Sequence, residues 1–407
     1  LQVINHSVTH RGTKNAFAFF SSYGLWHWGE GFQTVLFTWY LAFFLDLPAY
    51  QVGFYQSLVL FPYLIFTLIG GIITDRVGAF LSFSWSTAIF ALTLFLFGSS
   101  ENLAQEVPVA LLSYCIIAGL VSAISNPAID TFIPEATPSG AQANAIKAAT
   151  VHNIGKLLGT VTALGLAWLS AKGGFWVNGL LMIGSVLCLR FMRVPAKVVR
   201  VKSTSRDNPF KRAHVYFKEN RESLDILIST AMLGLIFIPA TYIIWPLTLR
   251  ERTPEYGDMI AATNIVGWVG GILAASLVNK YAKFIKRPGR LAVLVWSFSI
   301  VILLSFAFVQ EFWALCVLVF FIGTISVGKA LVYGRYLHNA PVRDRALLIS
   351  FDQAAFWGLA AVGTFAMGAM VDSLGLESTV VLSCGLMAAA VLLLVVRGSI
   401  LKIPGIE

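Results

Sequence analysis

The feature that most limits what this chain can become is a recurrence of long apolar runs separated by short polar segments. A helix crossing the hydrocarbon of a bilayer needs roughly 20 mostly apolar residues, because all its backbone polar groups must be satisfied within the segment. Twelve such runs can be read along the sequence: 16–45, 52–73, 80–97, 107–132, 141–169 and 175–191, then 224–249, 259–278, 291–309, 312–333, 346–371 and 379–396. With 57% of 407 residues hydrophobic and 12% charged, no soluble domain could cover that much apolar surface, so the expected solvent is lipid. The fold class read from this is an all-α membrane protein of twelve transmembrane helices.

The net charge of +9 does not point to nucleic acid, because the basic residues sit in the short segments between apolar runs. With the N-terminus inside, cytoplasmic segments hold 22 of the 29 Lys and Arg, outside segments hold only Lys172, Arg250 and Arg252, and Lys147, Lys156, Arg190 and Lys329 lie within spans. The reading is a multi-pass protein of a bacterial cytoplasmic (inner) membrane with both termini cytoplasmic. The polar first residues show no cleavable signal peptide. Cys115, Cys188, Cys316 and Cys384 fall inside apolar runs without metal-ligand or disulfide spacing, so no metal and no cofactor are expected.

The largest polar segment, 193–223, carries nine basic residues and is expected to connect an N-terminal bundle, 1–192, to a C-terminal bundle, 224–407, with a surface-lying helix at 209–220. Repetition supports six helices plus six. Ile133-Pro-Glu-Ala-Thr-Pro after the fourth span has its counterpart in Leu337-His-Asn-Ala-Pro after the tenth, and the second and eighth spans both end in short polar turns.

Between the second and third spans stands Gly71-Ile-Ile-Thr-Asp75-Arg76-Val-Gly78. It resembles the G-x-x-x-D-R-x-G signature of the major facilitator superfamily. Gly71 lets a helix approach closely, Gly78 permits a tight turn, and Asp75 can accept from a helix N-terminus or a basic partner. The resemblance implies two six-helix bundles related by pseudo-two-fold symmetry, alternating access, and a cytoplasmic gate at Gly71, Asp75, Arg76 and Gly78. The equivalent site of the second half reads Ala275-Ser-Leu-Val-Asn279-Lys280, with Asn in place of the acid. The stretch Asn126-Pro127-Ala128 through Ile133-Pro134-Glu135 to Asn144-Ala145 and Gly155-x-x-x-Gly159 looks like the branch containing siderophore and drug exporters. Against that branch, Gly159-Thr160 stands where its antiporters carry a glycine-proline pair, and the fourth span has no arginine.

An ionisable side chain deep in a span costs several kcal/mol unless it is paired or hydrated. Glu30 lies near the middle of the first span, and Tyr23, His27, Glu30 and Thr34 recur at helical spacing on one face, which is expected to line a cavity. Glu30 is either a proton-coupling residue or a buried acid satisfied by neighbours, and Lys156, equally deep in the fifth span, is its candidate ion-pair partner. Lys329 lies about 6 Å from the cytoplasmic end of the tenth span and Asp352 about 9 Å into the eleventh, at 1.5 Å per residue. They form a gate, or a static pair, or Lys329 with Tyr333 meets an anionic substrate group; Asp352 is a second proton-coupling candidate. Asn126, Tyr242 and Trp245 complete the candidate cavity, Asp130 and Lys147 read as solvated boundary residues, and Trp39, Tyr40 and Trp313 read as interface anchors.

An embedded enzyme finds no support: the six histidines form no H-E-x-x-H cluster, and neither a G-x-S-x-G nor a P-loop is present. Two transport readings stay open. One is proton-coupled export (antiport, efflux) of a small amphiphilic or anionic organic molecule; the other is a facilitator or importer, by uniport or symport, including a lipid or lysolipid transporter. The expected partners are a small-molecule substrate, a proton and membrane lipid, with no nucleic acid, and the chain is expected to be a monomer. The topology is open to test: with the four native cysteines replaced, Ser205→Cys in the connector should react with a membrane-impermeant maleimide only after the membrane is opened. Labelling in sealed cells would invert the orientation.

Overall fold

The computed structural model describes residues 2–100, 108–133, 136–137, 141–192, 209–281, 284–341 and 345–404. Their side chains are described from 15 onward, except at 68, 71–73, 75–76, 141–143, 145–146, 167, 209–210, 257–258, 279, 337 and 345–346. Helices α1 (Gln2–Trp39), α2 (Ala49–Val77), α3 (Ala79–Ser99), α4 (Pro108–Asp130), α5 (Ala141–Thr162) and α6 (Leu166–Arg190) occupy the first six apolar runs. After a short amphipathic helix, α7 (Pro209–Glu219), come α8 (Arg221–Arg252), α9 (Ile260–Lys280), α10 (Pro288–Ser305), α11 (Phe312–Tyr336), α12 (Leu347–Leu374) and α13 (Leu376–Arg397). No strand occurs among the described residues, the twelve predicted spans are helical, and the helix expected at 209–220 is present.

Nine of these helices are long and apolar enough by composition alone to cross a membrane. α1, α2 and α5 are not among them; α1 and α5 carry His27, Glu30, His152 and Lys156. Large apolar side chains such as Trp168, Phe308 and Leu294 lie more than half exposed, as a surface solvated by lipid tails requires.

Three local features set the helix boundaries. Gly78 turns the chain between α2 and α3 with φ 98°, a conformation that side chains other than glycine rarely adopt, and its N–H donates to the Thr74 carbonyl at 2.9 Å. Ser170 (φ 57°) breaks α6 near its start, where the polar punctuation predicts the turn between the fifth and sixth spans. Asn220 caps α8 by accepting from the Ser223 N–H at 3.1 Å.

The chain forms two compact units, residues 1–40 with 66–204 and residues 41–65 with 205–407. In the first, glycines set the approach of α1 and α5. A Cβ added to Gly31 would lie 2.5 Å from the Lys156 carbonyl oxygen, one on Gly155 would lie 2.9 Å from that of Gly24, and Gly159 presses against the Trp28 carbonyl. With no aqueous driving force between lipid-immersed helices, contact of this kind holds them through dispersion. Near the end of α1, Tyr40 packs edge-on to Phe97 and Phe175, with centroids 5.6 and 5.2 Å away, while Phe97 stacks on Tyr114 at 4.4 Å. Trp39 and Tyr40 are therefore buried packing residues and not interface anchors; Trp313 is exposed as expected.

In the second unit α9 and α11 meet where Gly270 faces the Phe320 carbonyl and Gly323 that of Gly267, and α8 and α12 meet where Gly234 faces Phe356 and Gly363 faces Leu235. Both α8 and α12 are interrupted by π-helical segments, Leu233–Phe237 and Ala240–Ile244 in the former and Ala354–Gly358 in the latter. The first half of α2 packs here: Gly53 lies on Gly368, and Leu60 joins Ala360 and Ala361 in a buried cluster with Ile238, Tyr242 and Trp357. Arg250 donates to the Ala42 and Leu47 carbonyls at 3.1 and 2.8 Å.

The glycine contacts make a packing prediction. Gly159→Leu should lower stability by about 1–3 kcal/mol through overpacking, read as the thermal midpoint in detergent, whereas Gly385→Leu, where a side chain meets open space, should not. Equal midpoints for the two variants would show that the α1–α5 approach has slack.

Candidate functional site

The first unit brings a polar chain together from three helices. The face of α1 carrying Tyr23, His27 and Glu30 meets Asn126 and Asp130 near the end of α4 and His152 and Lys156 on α5. Each helix supplies its residues three or four positions apart, so the side chains stack along one face. The glycine contacts between α1 and α5 then hold the two faces within hydrogen-bonding reach.

Glu30 is the centre of this chain and only 15% of its side chain is exposed. Its Oε2 accepts from the Lys156 ammonium at 3.1 Å and lies 2.8 Å from His27 Nδ1, while Oε1 accepts from Asn126 Nδ2 at 3.0 Å. Asn126 is itself oriented by the Trp26 indole, which donates to its Oδ1 at 2.7 Å. A buried carboxylate with both oxygens filled and an ammonium in contact is satisfied, whereas removing either partner would leave a charge uncompensated in low dielectric. The chain continues outward. His152 Nδ1 lies 3.3 Å from His27 Nε2, and the Tyr23 hydroxyl donates to Asp130 Oδ1 at 3.2 Å. Tyr23, Asp130 and His152 line a cavity of about 280 Å³ together with Ile133, Ala148, Ala149 and Asn153.

The second unit holds a smaller network. Asp352, fully buried on α12, accepts from the Lys329 ammonium of α11 at 2.9 Å and from the Thr230 hydroxyl of α8 at 2.8 Å. The ammonium also lies over the rings of Phe356 and Tyr333, 4.2 and 5.4 Å from their centroids. Nearby, Glu222 accepts from Arg335 at 2.7 Å and from Asn339 at 2.8 Å, and buried Asp225 is held by Arg397 and Ser399.

Of the residues singled out from sequence, Tyr23, His27, Glu30, Asn126 and Lys156 come together in the first unit, and Lys329, Tyr333 and Asp352 in the second. Thr34 does not join: its hydroxyl donates to the Glu30 carbonyl one turn back, at 2.9 Å. Trp245 is buried and donates to Thr263 at 3.1 Å, and Tyr242 packs on the Leu60 cluster, so both serve the packing of the second unit. Lys147 is exposed, as is Asp130 on the cavity wall. In the gate motif Gly78 makes its turn, while the side chains of Gly71, Asp75 and Arg76 lie outside the described residues. Residues that join the networks without having been singled out are Trp26, His152, Thr230 and Phe356. The signal for the first two was available, since each lies four positions before a charged member, Glu30 and Lys156.

The Glu30–Lys156 pair yields a stability test. Lys156→Met should strand the carboxylate and cost about 3–5 kcal/mol, while adding Glu30→Gln should restore most of the loss. No restoration in the double variant would mean that the two side chains act independently.

The sequence profile described as the Major Facilitator Superfamily matches residues 19–326. No curated protein matches the chain by sequence. Among solved structures, the nucleoside transporter NupG is similar at a TM-score of 0.72 and 13% identity, covering 95% of this chain and 98% of its own. The POT family transporter PepTSo is similar at 0.73 and 14%, covering 94% and 97%. A variant of the E. coli fucose:proton symporter FucP is similar at 0.61 and 16%, covering 94% and 98%. At these identities the likeness establishes the twelve-helix fold, and the profile match over most of the chain establishes the lineage: the protein belongs to the major facilitator superfamily of membrane transporters.

Proposed function

We propose that the protein is a proton-coupled secondary carrier that exports a small amphiphilic or anionic organic molecule, with Glu30 taking up and releasing the coupling proton. The observation that carries this reading is the convergence of Lys156, His27 and Asn126 on the Glu30 carboxylate. One proton on that group removes the charge that holds Lys156, so the same event switches both the acid and the base. Lys329, held over aromatic faces, is the candidate contact for an anionic substrate group, and Asp352 is the second candidate for coupling. The solved structures described as a nucleoside transporter and a fucose:proton symporter support small polar cargo and proton coupling.

Export rests on the exporter-like stretch across α4 and α5. The second reading, import by symport or facilitated exchange, is favoured by Gly159-Thr160 and by the symporter among the structural neighbours. The rest of the proposal follows from the sequence: two six-helix repeats, 1–192 and 224–407, joined by the 193–223 connector, a cytoplasmic gate at Gly71, Asp75, Arg76 and Gly78, and a monomer in a bacterial inner membrane with both termini inside.

The test starts from a thermal-shift screen of organic solutes across pH, followed by transport of each hit in proteoliposomes. A hit should accumulate against its gradient when a pH difference is imposed. Glu30→Gln should lose that accumulation by about tenfold or more while keeping counterflow exchange. Undiminished accumulation in Glu30→Gln would remove Glu30 from coupling, and the sign of the pH difference that drives flux separates export from import.

A further inference from the structure

His27 and His152 are in contact across the α1–α5 seam, with ring centroids 4.0 Å apart, and neither is needed to neutralise the charge of Glu30, which Lys156 already does. Their hydrogen-bond partners define a direction. Glu30 as a carboxylate is an acceptor only, so His27 Nδ1, 2.8 Å from Oε2, must carry the hydrogen. Neutral His27 then presents Nε2 as a bare lone pair, and its partner at 3.3 Å, His152 Nδ1, must be the donor. His152 is left with Nε2 as its acceptor, on a ring that lines the cavity.

We infer that His152 and His27 form a proton relay that carries a proton from the α1–α4–α5 cavity to the buried Glu30 carboxylate. The inference rests on the coupling role proposed for Glu30 and names the route by which its proton arrives. A proton from cavity water bonds to His152 Nε2. The hydrogen on His152 Nδ1 passes to His27 Nε2, and that on His27 Nδ1 passes to Glu30 Oε2. Three bonds to hydrogen form and three break. One proton is gained by Glu30, and both rings end neutral in the opposite tautomer. Running the sequence backwards returns the proton to the cavity and resets both rings. The 3.3 Å step between the histidines is the longer of the two links within the protein.

The groups around the dyad fit this assignment. Tyr23 on α1 stacks edge-on against His27 at 4.4 Å and donates to Asp130 on α4, placing a carboxylate at the cavity wall, where it raises the local concentration of cations. Lys156 on α5 lies against the far end of the relay, on the same oxygen that receives the proton.

The experiment measures proton uptake by the full chain in detergent after a pH jump, with a pH-indicating dye, recording both rate and protons bound per protein. His152→Gln keeps an amide that can hydrogen-bond but cannot relay. It should slow uptake by about tenfold or more and leave the number of protons bound unchanged. Glu30→Gln should lower that number by one. An unchanged rate in His152→Gln, or a lower proton count in that variant, overturns the relay even where Glu30→Gln behaves as expected. An unchanged count in Glu30→Gln overturns the coupling role itself, and the relay with it. A second measurement needs no variant: nitrogen-15 NMR of labelled histidine in nanodiscs should find His27 and His152 in the Nδ1–H tautomer, and His152 as Nε2–H would refute the assignment.

Discussion

A carboxylate deep inside a lipid-embedded helix bundle is tolerable only if its charge is matched atom by atom, and the first unit is arranged around that requirement at Glu30. One oxygen takes the ammonium of Lys156 and the ring of His27, and the other takes the amide of Asn126, which Trp26 holds in place. Each partner comes from a helix whose position is set by something else. Glycine contacts fix α5 against α1, and the indole–amide bond ties α1 to α4. A structural ion pair would be complete with Lys156 alone. The additional histidines, and a cavity that begins at His152, are what this site holds beyond the ion pair.

The second unit meets the same requirement differently. Asp352 is fully buried, and its two oxygens are filled by Lys329 and Thr230. The acid sits on the eleventh span and the base on the tenth, whereas in the first unit the acid is on the first span and the base on the fifth. Each unit thus holds an acid–base pair across two helices, on different helices in the two units. Aromatic rings surround the cation in the second unit and imidazoles approach the anion in the first, which gives the two pairs different chemistry. The proposed anion contact at Lys329 and the proposed proton transfer at Glu30 draw on that difference.

The helical content and the membership of the first network were largely legible, because period and depth are written in the sequence. Apolar runs of spanning length located the helices, and spacing of three and four put Tyr23, His27 and Glu30 on one face. The comparable depth of Lys156 made it the candidate partner. His152 was overlooked because its histidine was weighed for enzyme chemistry, although its spacing from Lys156 marks the same face. In α12 Phe356 lies within a π-helical segment, where a period of 3.6 does not predict which side chains converge, and it escaped notice. Trp39 and Tyr40, expected as interface anchors, are buried, Tyr40 against Phe97 and Phe175, contacts that sequence spacing does not encode. Trp245 reads as a cavity wall by position, but its indole finds a partner in Thr263 within the packed interior.

The glycine seam constrains how such a site can be switched. With Gly31, Gly155 and Gly159 bringing the two backbones into direct contact, α1 and α5 have no side-chain layer along which to slide, and they travel as one slab. A rigid movement of that slab would carry Glu30 and Lys156 together and leave the distance between them unchanged. Mechanical force is therefore a poor lever on this pair, and a change of bonding at the acid itself is the means of releasing the lysine.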